Sequence, residues 1–370
     1  MAASEVYFTS MRCKVGDSLL SKLDRLMAKA GMDSIDFENK FTAIKIHFGE
    51  PGNLAFLRPN FAKTVADRVK KNGGTPFLTD CATLYVGRRT NAIDHTESAL
   101  ENGFSPLSTG CQIIIGDGLK GTDDVEVPVN GGVYLKTAMI GRAVMDADII
   151  ISLNHFKGHE GAGFGGALKN LGMGCGSRAG KMAMHNDGKP SADKGACVGC
   201  RFCAKFCAHS AISFGEDKKA FIDHEKCVGC GRCIGTCSYH AIGTEWDSSN
   251  DMLNCKIAEY AKAVVDGRPN FHINVVMQVS PYCDCHGESD AAIVPDIGIF
   301  AGFDPVAVDK ASIDAVNAAP GIPTSILSER GHDDGDHFCT IHPSTDWRSQ
   351  MSHAERIGLG SADYKLTVVE

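Results

Sequence analysis

Two patterns of hydrophobic residues, one typical of strands and one typical of helices, alternate along the first half of this chain. Short, mostly apolar runs bounded by glycine, proline or polar residues have the length of buried strands. Longer segments with apolar residues three or four positions apart have the pattern of amphipathic helices. The strand-like runs are residues 41–48, 75–79, 112–115 and 148–153, and the helix-like segments are residues 61–71, 91–102 and 133–145. This alternation predicts an α/β domain with a largely parallel sheet flanked by helices.

The pattern breaks in the middle of the chain and then resumes. Glycine is dense between residues 158 and 180, which predicts loops whose backbone approaches another group closely. Helices are expected again at residues 252–265 and 304–317, and strands at residues 272–279 and 297–300. We therefore predict one α/β domain made of residues 1–189 and 246–330, interrupted by a small module at residues 190–245. Residues 331–370, rich in His, Asp and Ser, are expected to form a peripheral tail.

Cysteine is the unusual feature of the composition, with 16 among 370 residues. Disulfide-rich secreted domains are usually much shorter and carry an export signal, whereas the first ten residues here have neither a basic nor a long apolar region. No run approaches the roughly 18–20 apolar residues of a membrane helix. We therefore expect a cytoplasmic, reducing setting without a membrane partner, in which the cysteines bind metals.

Eight of the cysteines lie within residues 190–245 and form two similar repeats with the spacing Cys-x₂-Cys-x₂-Cys-x₃-Cys. Three thiolates on such a tight loop can face three irons of one [4Fe–4S] cluster. The fourth cysteine begins a helix that carries it to the other cluster. The first cluster is therefore expected to bind Cys197, Cys200, Cys203 and Cys237, and the second to bind Cys227, Cys230, Cys233 and Cys207.

This segment resembles the bacterial two-cluster ferredoxins, which implies two [4Fe–4S] clusters and transfer of low-potential electrons. The proline that usually follows each fourth cysteine is Ala208 in the first repeat and Ser238 in the second, a difference that affects potential and loop stiffness rather than the ligands. The competing interpretations are a zinc site or unligated core thiols, but zinc sites prefer isolated Cys-x₂-Cys pairs that close one tetrahedron. A hairpin with strands at residues 213–214 and 220–222 is expected between the repeats.

Several distinctive strings lie outside this segment, at residues 154–159, 163–175, 281–285, 294–298 and 304–309. With them the chain resembles the uncharacterised iron–sulfur-centre proteins of the domain of unknown function 362 family, over residues 41–317. The resemblance implies an α/β domain that often carries a ferredoxin module. It implies no settled reaction.

A second site is expected where loops leave the carboxyl ends of the parallel strands, because ligands gather there in such sheets. Cys283 and Cys285 follow one predicted strand, Cys175 ends the glycine-rich segment, and His155 and His159 follow another strand. Thiolate and imidazole ligands could hold an additional metal of unknown identity there. These residues could also be packed structural groups, since free cysteine is among the most buried residue types.

Ligands other than a metal are also considered at the same edge of the sheet. Lys157, Lys169 and Asn170 could bind an anionic small-molecule substrate. Residues 161–166 match G-x-G-x-x-G, but no clear second strand comes before the cysteine-rich segment, so a dinucleotide site is not expected. The remaining cysteines are taken as mostly structural, and Cys81 is the one of most interest among them because it ends a predicted strand.

The formal net charge of −8 constrains the partners. Two [4Fe–4S] clusters held by thiolates would each add about −2 to it. An acidic surface excludes nucleic acid as an expected partner and suits docking to a basic patch on a redox protein. The first functional hypothesis is electron transfer to or from a partner or an adjacent site. The alternatives are a ferredoxin-linked reductase with its site near Cys175, Cys283 and Cys285, and a protein that assembles or delivers metal centres.

Overall fold

The computed structural model describes residues 3–85, 87–185, 189–207, 209–227, 229, 231–244, 249–331 and 335–370. Its strands are β1 (Ser4–Ser10), β2 (Phe41–Lys45), β3 (Thr75–Thr79), β4 (Gln112–Ile113), β5 (Asp124–Pro128), β6 (Thr137–Gly141), β7 (Ile149–His155), β8 (Lys157–His159), β9 (Gly163–Gly165), β10 (Pro190–Ala192), β11 (Ile212–Phe214), β12 (Ala220–Ile222), β13 (Ile242–Thr244), β14 (Asn270–Val276), β15 (Gly298–Gly302) and β16 (Tyr364–Val368). Its helices are α1 (Leu19–Lys29), α2 (Pro59–Lys71), α3 (Ala92–Glu101), α4 (Pro106–Thr109), α5 (Arg142–Asp146), α6 (Ala167–Cys175), α7 (Arg178–His185), α8 (Phe202–Lys205), α9 (Arg232–Thr236), α10 (Asn250–Val265), α11 (Pro305–Ala318), α12 (Ile326–Arg330), α13 (His337–Ile341) and α14 (Arg348–Arg356), with a 3₁₀ turn at Met32–Ser34.

Eight strands form the main sheet, in the spatial order β16, β1, β15, β14, β7, β2, β3, β4. Strand β15 is antiparallel to both of its neighbours, β1 and β14. The other neighbouring pairs are parallel. The prediction of an α/β fold with a largely parallel sheet flanked by helices is therefore confirmed. Among the helices of the described residues, none is both long enough and apolar enough to cross a membrane.

Strand β7 lies near the centre of the sheet and is buried along its whole length. Successive side chains of a strand point to opposite faces. Ile149, Ile151 and Leu153 therefore pack with α1 and α2 on one face, whereas Ile150 packs with α6, α10 and α11 on the other. Burial on both faces explains why this strand is a continuous apolar run in the sequence rather than an alternating one.

On the second face, buried polar side chains connect the central strands to the covering helices. Asn154 of β7 donates from Nδ2 to Oδ1 of Asn274 in β14 (2.9 Å), and Asn274 donates to Asp309 of α11 (2.7 Å). Asn170 of α6 donates to Oδ1 of Asn154 (2.7 Å). A buried polar group is costly unless it is paired, so this chain of hydrogen bonds fixes α6 and α11 against the strands.

The glycine-rich region differs from the expected loops, because most of it forms a short hairpin, β8–β9, and the helices α6 and α7. Its glycines serve close packing. A Cβ atom on Gly172 would lie 2.2 Å from the backbone oxygen of Ile257 in α10. The absence of that atom lets α6 and α10 approach closely. The glycines of this region therefore do allow close approach of the backbone, as expected, but from helices and a hairpin rather than from loops.

Residues 133–145 do not form the predicted helix. Thr137–Gly141 is strand β6, which pairs antiparallel with β5, and only Arg142–Asp146 is helical. The local spacing of apolar residues fits a helix or a strand. The strand forms because β5, which lies before a turn at Gly131 and Gly132, pairs with these residues.

Residues 331–370 are not the predicted peripheral tail. Strand β16 extends the main sheet by pairing in parallel with β1, and helix α14 packs against α10. Trp347, just before α14, is buried. The polar composition of this region hid these contacts, because the partner strand and helix lie far away in the sequence.

Candidate functional site

A cavity of about 380 Å³ lies at the carboxyl ends of β2, β3, β7 and β14. Each of these strands is followed by side chains that line it: His47 after β2, Asp80 after β3, Lys157 after β7 and Cys283 after β14. Helix α6 closes another side with Lys169. The cavity thus occupies the position where open parallel sheets usually bind ligands.

Cys283 and Cys285 both line this cavity. Cys283 is buried and Cys285 is half-buried. The ammonium of Lys169 lies 3.4 Å from the sulfur of Cys283. A hydrogen bond from Cys285 and the charges of Lys169 and Lys157 outweigh burial and lower the pKa of Cys283 well below its ordinary value. The same hydrogen bond, together with burial, raises the pKa of Cys285. This environment favours the thiolate form of Cys283 and the thiol form of Cys285.

His159 adds a further hydrogen-bond donor to the thiolate. Its Nδ1 accepts hydrogen bonds from the backbone N–H groups of Gly161 and Ala162, each at 3.0 Å. A neutral imidazole that accepts at Nδ1 carries its hydrogen at Nε2. The hydrogen bond between His159 and Cys283 is therefore donated by the ring to the sulfur.

His155 is held by protein oxygens on both sides of its ring. Nδ1 lies 2.8 Å from a carboxylate oxygen of Asp284, and Nε2 lies 2.8 Å from the backbone oxygen of Met277. Burial by itself would raise the pKa of Asp284, but His155 and Lys157 outweigh it and lower that pKa. Both ring nitrogens of His155 are engaged, so this residue positions Asp284, between the two cysteines, and is not placed to bind a metal.

Two groups of side chains could hold a metal ion. The ligand atoms of His159, Cys283 and Cys285 lie within 4.8 Å of one another, and so do those of Glu160, Cys285 and His286. The second group lies at the mouth of the cavity, where Glu160 and His286 are partly exposed and 2.9 Å apart. Their hydrogen bond raises the pKa of His286.

Cys175 belongs to neither of these groups. The backbone oxygen of Cys175 accepts a hydrogen bond from the thiol of Cys81 (3.4 Å). Burial raises the pKa of the Cys175 thiol to about 11. Cys81 lines the cavity wall, and burial raises its pKa as well. Within the described residues, the structure thus brings together His159, Cys283 and Cys285 of the predicted site and separates Cys175 from them.

Sequence reasoning missed a buried charged network on the opposite wall. Lys45 lies at the end of β2, and its Nζ is 2.9 Å from a carboxylate oxygen of Asp80. The Nε of Arg89 is 2.7 Å from a carboxylate oxygen of Glu50. Arg89 also donates to the hydroxyl of Tyr85. The signal in the sequence was Lys45, a charged residue inside an apolar strand run. This network anchors the segment between β3 and α3 that forms the wall.

The cysteine-rich segment folds as two similar halves. Strand β10 pairs with β13, β11 pairs with β12 as the expected hairpin, and α8 lies beside α9. Left-handed backbone recurs at equivalent places, in Gly199 and Gly229 and again in Ser210 and His240. The pairing of Pro190 with Thr244 brings the two ends of the segment together.

The cysteines of this segment meet in two sets. Cys197, Cys200, Cys203 and Cys237 line one small cavity, and Cys207, Cys227 and Cys233 line another. Cys230 lies outside the described residues. Backbone N–H groups of Ala220, Ala241 and Ala211 donate to the sulfurs of Cys197, Cys237 and Cys207 at 3.3–3.4 Å.

One stretch of chain separates the first set of cysteines from the large cavity. Leu84 and Tyr85 line the large cavity and also a second one, of about 450 Å³, whose opposite wall includes Cys237. Leu84 is buried in the same apolar cluster as Cys197 and Cys203. The cysteine-rich segment and the Cys283–Cys285 cavity are therefore neighbours across this wall.

A comparison with protein families identifies the family of this chain. The model of the family described as domain of unknown function (DUF362) matches residues 42–314, well over half of the chain. The chain belongs to the DUF362 family. No curated protein matches the chain at a significant level.

Two solved structures are similar to this DUF362 protein at low identity. One is a protein from Thermotoga maritima, a structural genomics target, with 13% identity, a TM-score of 0.41 and coverage of 80% of this chain and 57% of the other, so the chain spans little more than half of that protein. The other is the lactate racemase apoprotein from Thermoanaerobacterium thermosaccharolyticum, with 13% identity, a TM-score of 0.38 and coverage of 98% and 82%.

Proposed function

We propose that this protein binds two [4Fe–4S] clusters and transfers low-potential electrons between a redox partner and its own Cys283–Cys285 cavity. Cys197, Cys200, Cys203 and Cys237 would hold the first cluster, and Cys207, Cys227, Cys230 and Cys233 the second. The main support is that the members of each quartet within the described residues line one small cavity although they come from both repeats.

The surroundings of the sulfurs suit clusters. Thiolate sets are the usual ligands of [4Fe–4S] centres, and hydrogen bonds to their sulfurs help to set the reduction potential. Such bonds come here from the backbone of Ala211, Ala220 and Ala241. Bound clusters would supply one-electron redox chemistry, and the protein would supply ligands, hydrogen bonds and the wall toward the cavity.

The position of the cavity supports an internal acceptor. A carrier that only meets other proteins needs no buried cavity beside its clusters, whereas here Leu84 and Tyr85 line both the large cavity and the neighbouring cavity that Cys237 also lines. The cavity also carries more cationic than anionic side chains, including Lys157, Lys169 and Lys181. We infer that it accepts a small anionic molecule, in agreement with the reductase alternative.

The test is metal and sulfide analysis of protein purified without oxygen. About eight irons and about eight acid-labile sulfides per chain are expected for two cubane clusters. Cys200→Ala should lose about four irons by removing one ligand of the first cluster. Cys13→Ala is the matched control, because Cys13 is exposed and lies outside both sets. Protein that contains essentially no iron or sulfide would refute the proposal.

A further inference from the structure

Cys283 and Cys285 are adjacent thiols that face the interior cavity. One residue separates them in the chain, and their sulfurs lie within 4.8 Å of each other. The residue between them, Asp284, is held by His155, so the backbone that carries both thiols is anchored. Two anchored sulfurs at this separation can form a bond with a modest movement of the side chains.

The groups around the pair favour an anionic sulfur over a metal cation. A histidine that binds a metal usually donates its other ring N–H to an oxygen acceptor. His159 does the opposite, because its Nδ1 accepts two backbone N–H groups, and its Nε2 therefore carries a hydrogen. In addition, the ammonium of Lys169 lies 3.4 Å from the Cys283 sulfur, where it would repel a bound cation.

We propose that Cys283 and Cys285 form a dithiol–disulfide centre that stores two electrons, received singly from the iron–sulfur clusters. The source of the electrons rests on the proposed function. When the centre is reduced, the S–S bond breaks on addition of two electrons and one proton, which leaves a thiolate at Cys283 and a thiol at Cys285. Clusters held by the two cysteine quartets would supply these electrons one at a time, with the low-potential partner as their source.

The stored electrons would reduce a small anionic disulfide. The Cys283 thiolate attacks one sulfur of the substrate and releases the other half as a thiolate. Cys285 then attacks the mixed disulfide at Cys283, releases the second half and delivers its proton. The overall change converts the substrate disulfide to one thiol and one thiolate and restores the protein disulfide.

Mediated coulometry of the whole protein, after mild oxidation with diamide and desalting, measures the stored electrons. About four electrons per chain are expected, one for each of two clusters and two for the disulfide. Cys283→Ser and Cys285→Ser should each accept about two, whereas Cys13→Ser should accept about four. Alkylation and peptide mass analysis of the unmodified protein should show that Cys283 and Cys285 gain two alkyl groups only after reduction.

The outcomes distinguish this inference from the proposed function. If the clusters are present and the wild-type protein accepts only about two electrons, the dithiol centre is refuted and the electron-transfer proposal stands. Stoichiometric metal beyond the clusters that is lost in Cys283→Ser would refute the dithiol in favour of a metal site. Protein without iron that still shows the alkylation change refutes the clusters and retains the dithiol.

Two probe disulfides test the substrate class. Dithiodipropionate carries two carboxylates, and bis(2-hydroxyethyl) disulfide is neutral. The reduced protein is expected to cleave the dicarboxylate about tenfold faster, which corresponds to about 1.4 kcal/mol from one charge contact. Equal rates would refute the preference for an anion, and no cleavage of either would refute disulfide reduction in the cavity.

Discussion

At the residue scale, the pKa of Cys283 depends on the neighbouring thiol of Cys285 and on two side chains that lie far away in the sequence. Lys169 comes from α6, His159 from β8, and Cys285 from the loop that follows β14. Each donates a hydrogen bond or a positive charge to the sulfur. A buried thiol without such neighbours would have a raised pKa, as Cys175 has.

Lys169→Gln should make Cys283 less reactive at neutral pH. Loss of the ammonium disfavours the thiolate, so the pKa of Cys283 rises and a smaller fraction is ionised at any pH below it. A rise of one unit would slow alkylation about tenfold there. Labelling of reduced protein with iodoacetamide between about pH 6 and 9, followed by peptide mass analysis, measures the profile. Lys169→Arg keeps the charge and should retain most of the reactivity, so coincident profiles of Lys169→Gln and the unmodified protein would contradict this account.

A single glycine controls the shape of the first cysteine loop. Gly199 has a φ of +70°, and a Cβ atom there would lie 2.5 Å from the backbone oxygen of Lys218. Gly199→Ala should distort the loop that carries Cys197 and Cys200, and the protein should lose about four irons. Gly243→Ala is the control, because nothing lies within 4 Å of the added Cβ. Equal iron content in both variants, measured after anaerobic purification, would contradict the prediction.

At the element scale, the position of α6 decides what lines the cavity. This helix begins without a side-chain cap of its own, because Gly166 precedes it. Asp309 of α11 replaces the cap by accepting hydrogen bonds from the backbone N–H groups of Ala167 and Leu168, at 2.7 and 2.9 Å. The start of α6, and with it Lys169, is therefore placed by another helix.

Asp309→Ala should destabilise the protein strongly. The change leaves the two N–H groups and the amide of Asn274 without their buried acceptor, which costs about 2–4 kcal/mol. The melting temperature followed by circular dichroism should fall by several degrees. The exposed carboxylate of Asp67, which forms an ion pair with Lys63, provides the control. Asp67→Ala should change stability by less than about 0.5 kcal/mol, and a similar shift in both variants would contradict the capping role.

At the scale of the whole molecule, the two ends of the cysteine-rich segment lie together, and the segment shares an apolar cluster with the α/β domain. Its ends pair through Pro190 and Thr244, and Leu84 and Met182 of the α/β domain join its apolar cluster. The main sheet and the helices that cover it use no strand from this segment. The α/β domain therefore has its own core.

Replacement of residues 190–244 by a short Gly-Ser linker should leave the α/β domain folded. The linker has only to join two positions that are paired neighbours, so its closure entropy is small. We expect the far-ultraviolet circular dichroism of a cooperatively unfolding α/β protein and no bound iron. An unfolded or aggregated product would show that the two parts form one folding unit.

The sequence by itself determined the α/β class and most central strands and helices. It also indicated that cysteines from both repeats are grouped into each set of four. These follow from local patterns, because period, spacing and turn residues are read over a few neighbouring positions. The two small cavities lined by the cysteines agree with the spacing argument, although the clusters remain a proposal. The sequence also marked Cys283, Cys285 and His159 as neighbours, since each follows a strand of the same parallel sheet.

Only the tertiary structure decided which strand-end residues meet. It separated Cys175 from Cys283, placed Lys169 against the thiolate, and engaged both nitrogens of His155. It also drew the last strand of the chain into the main sheet beside the first. The physical reason is the same in each case. A hydrogen bond, an ion pair or a strand pairing depends on distance in space, and residues far apart in the sequence come together only when the sheet and helices have packed.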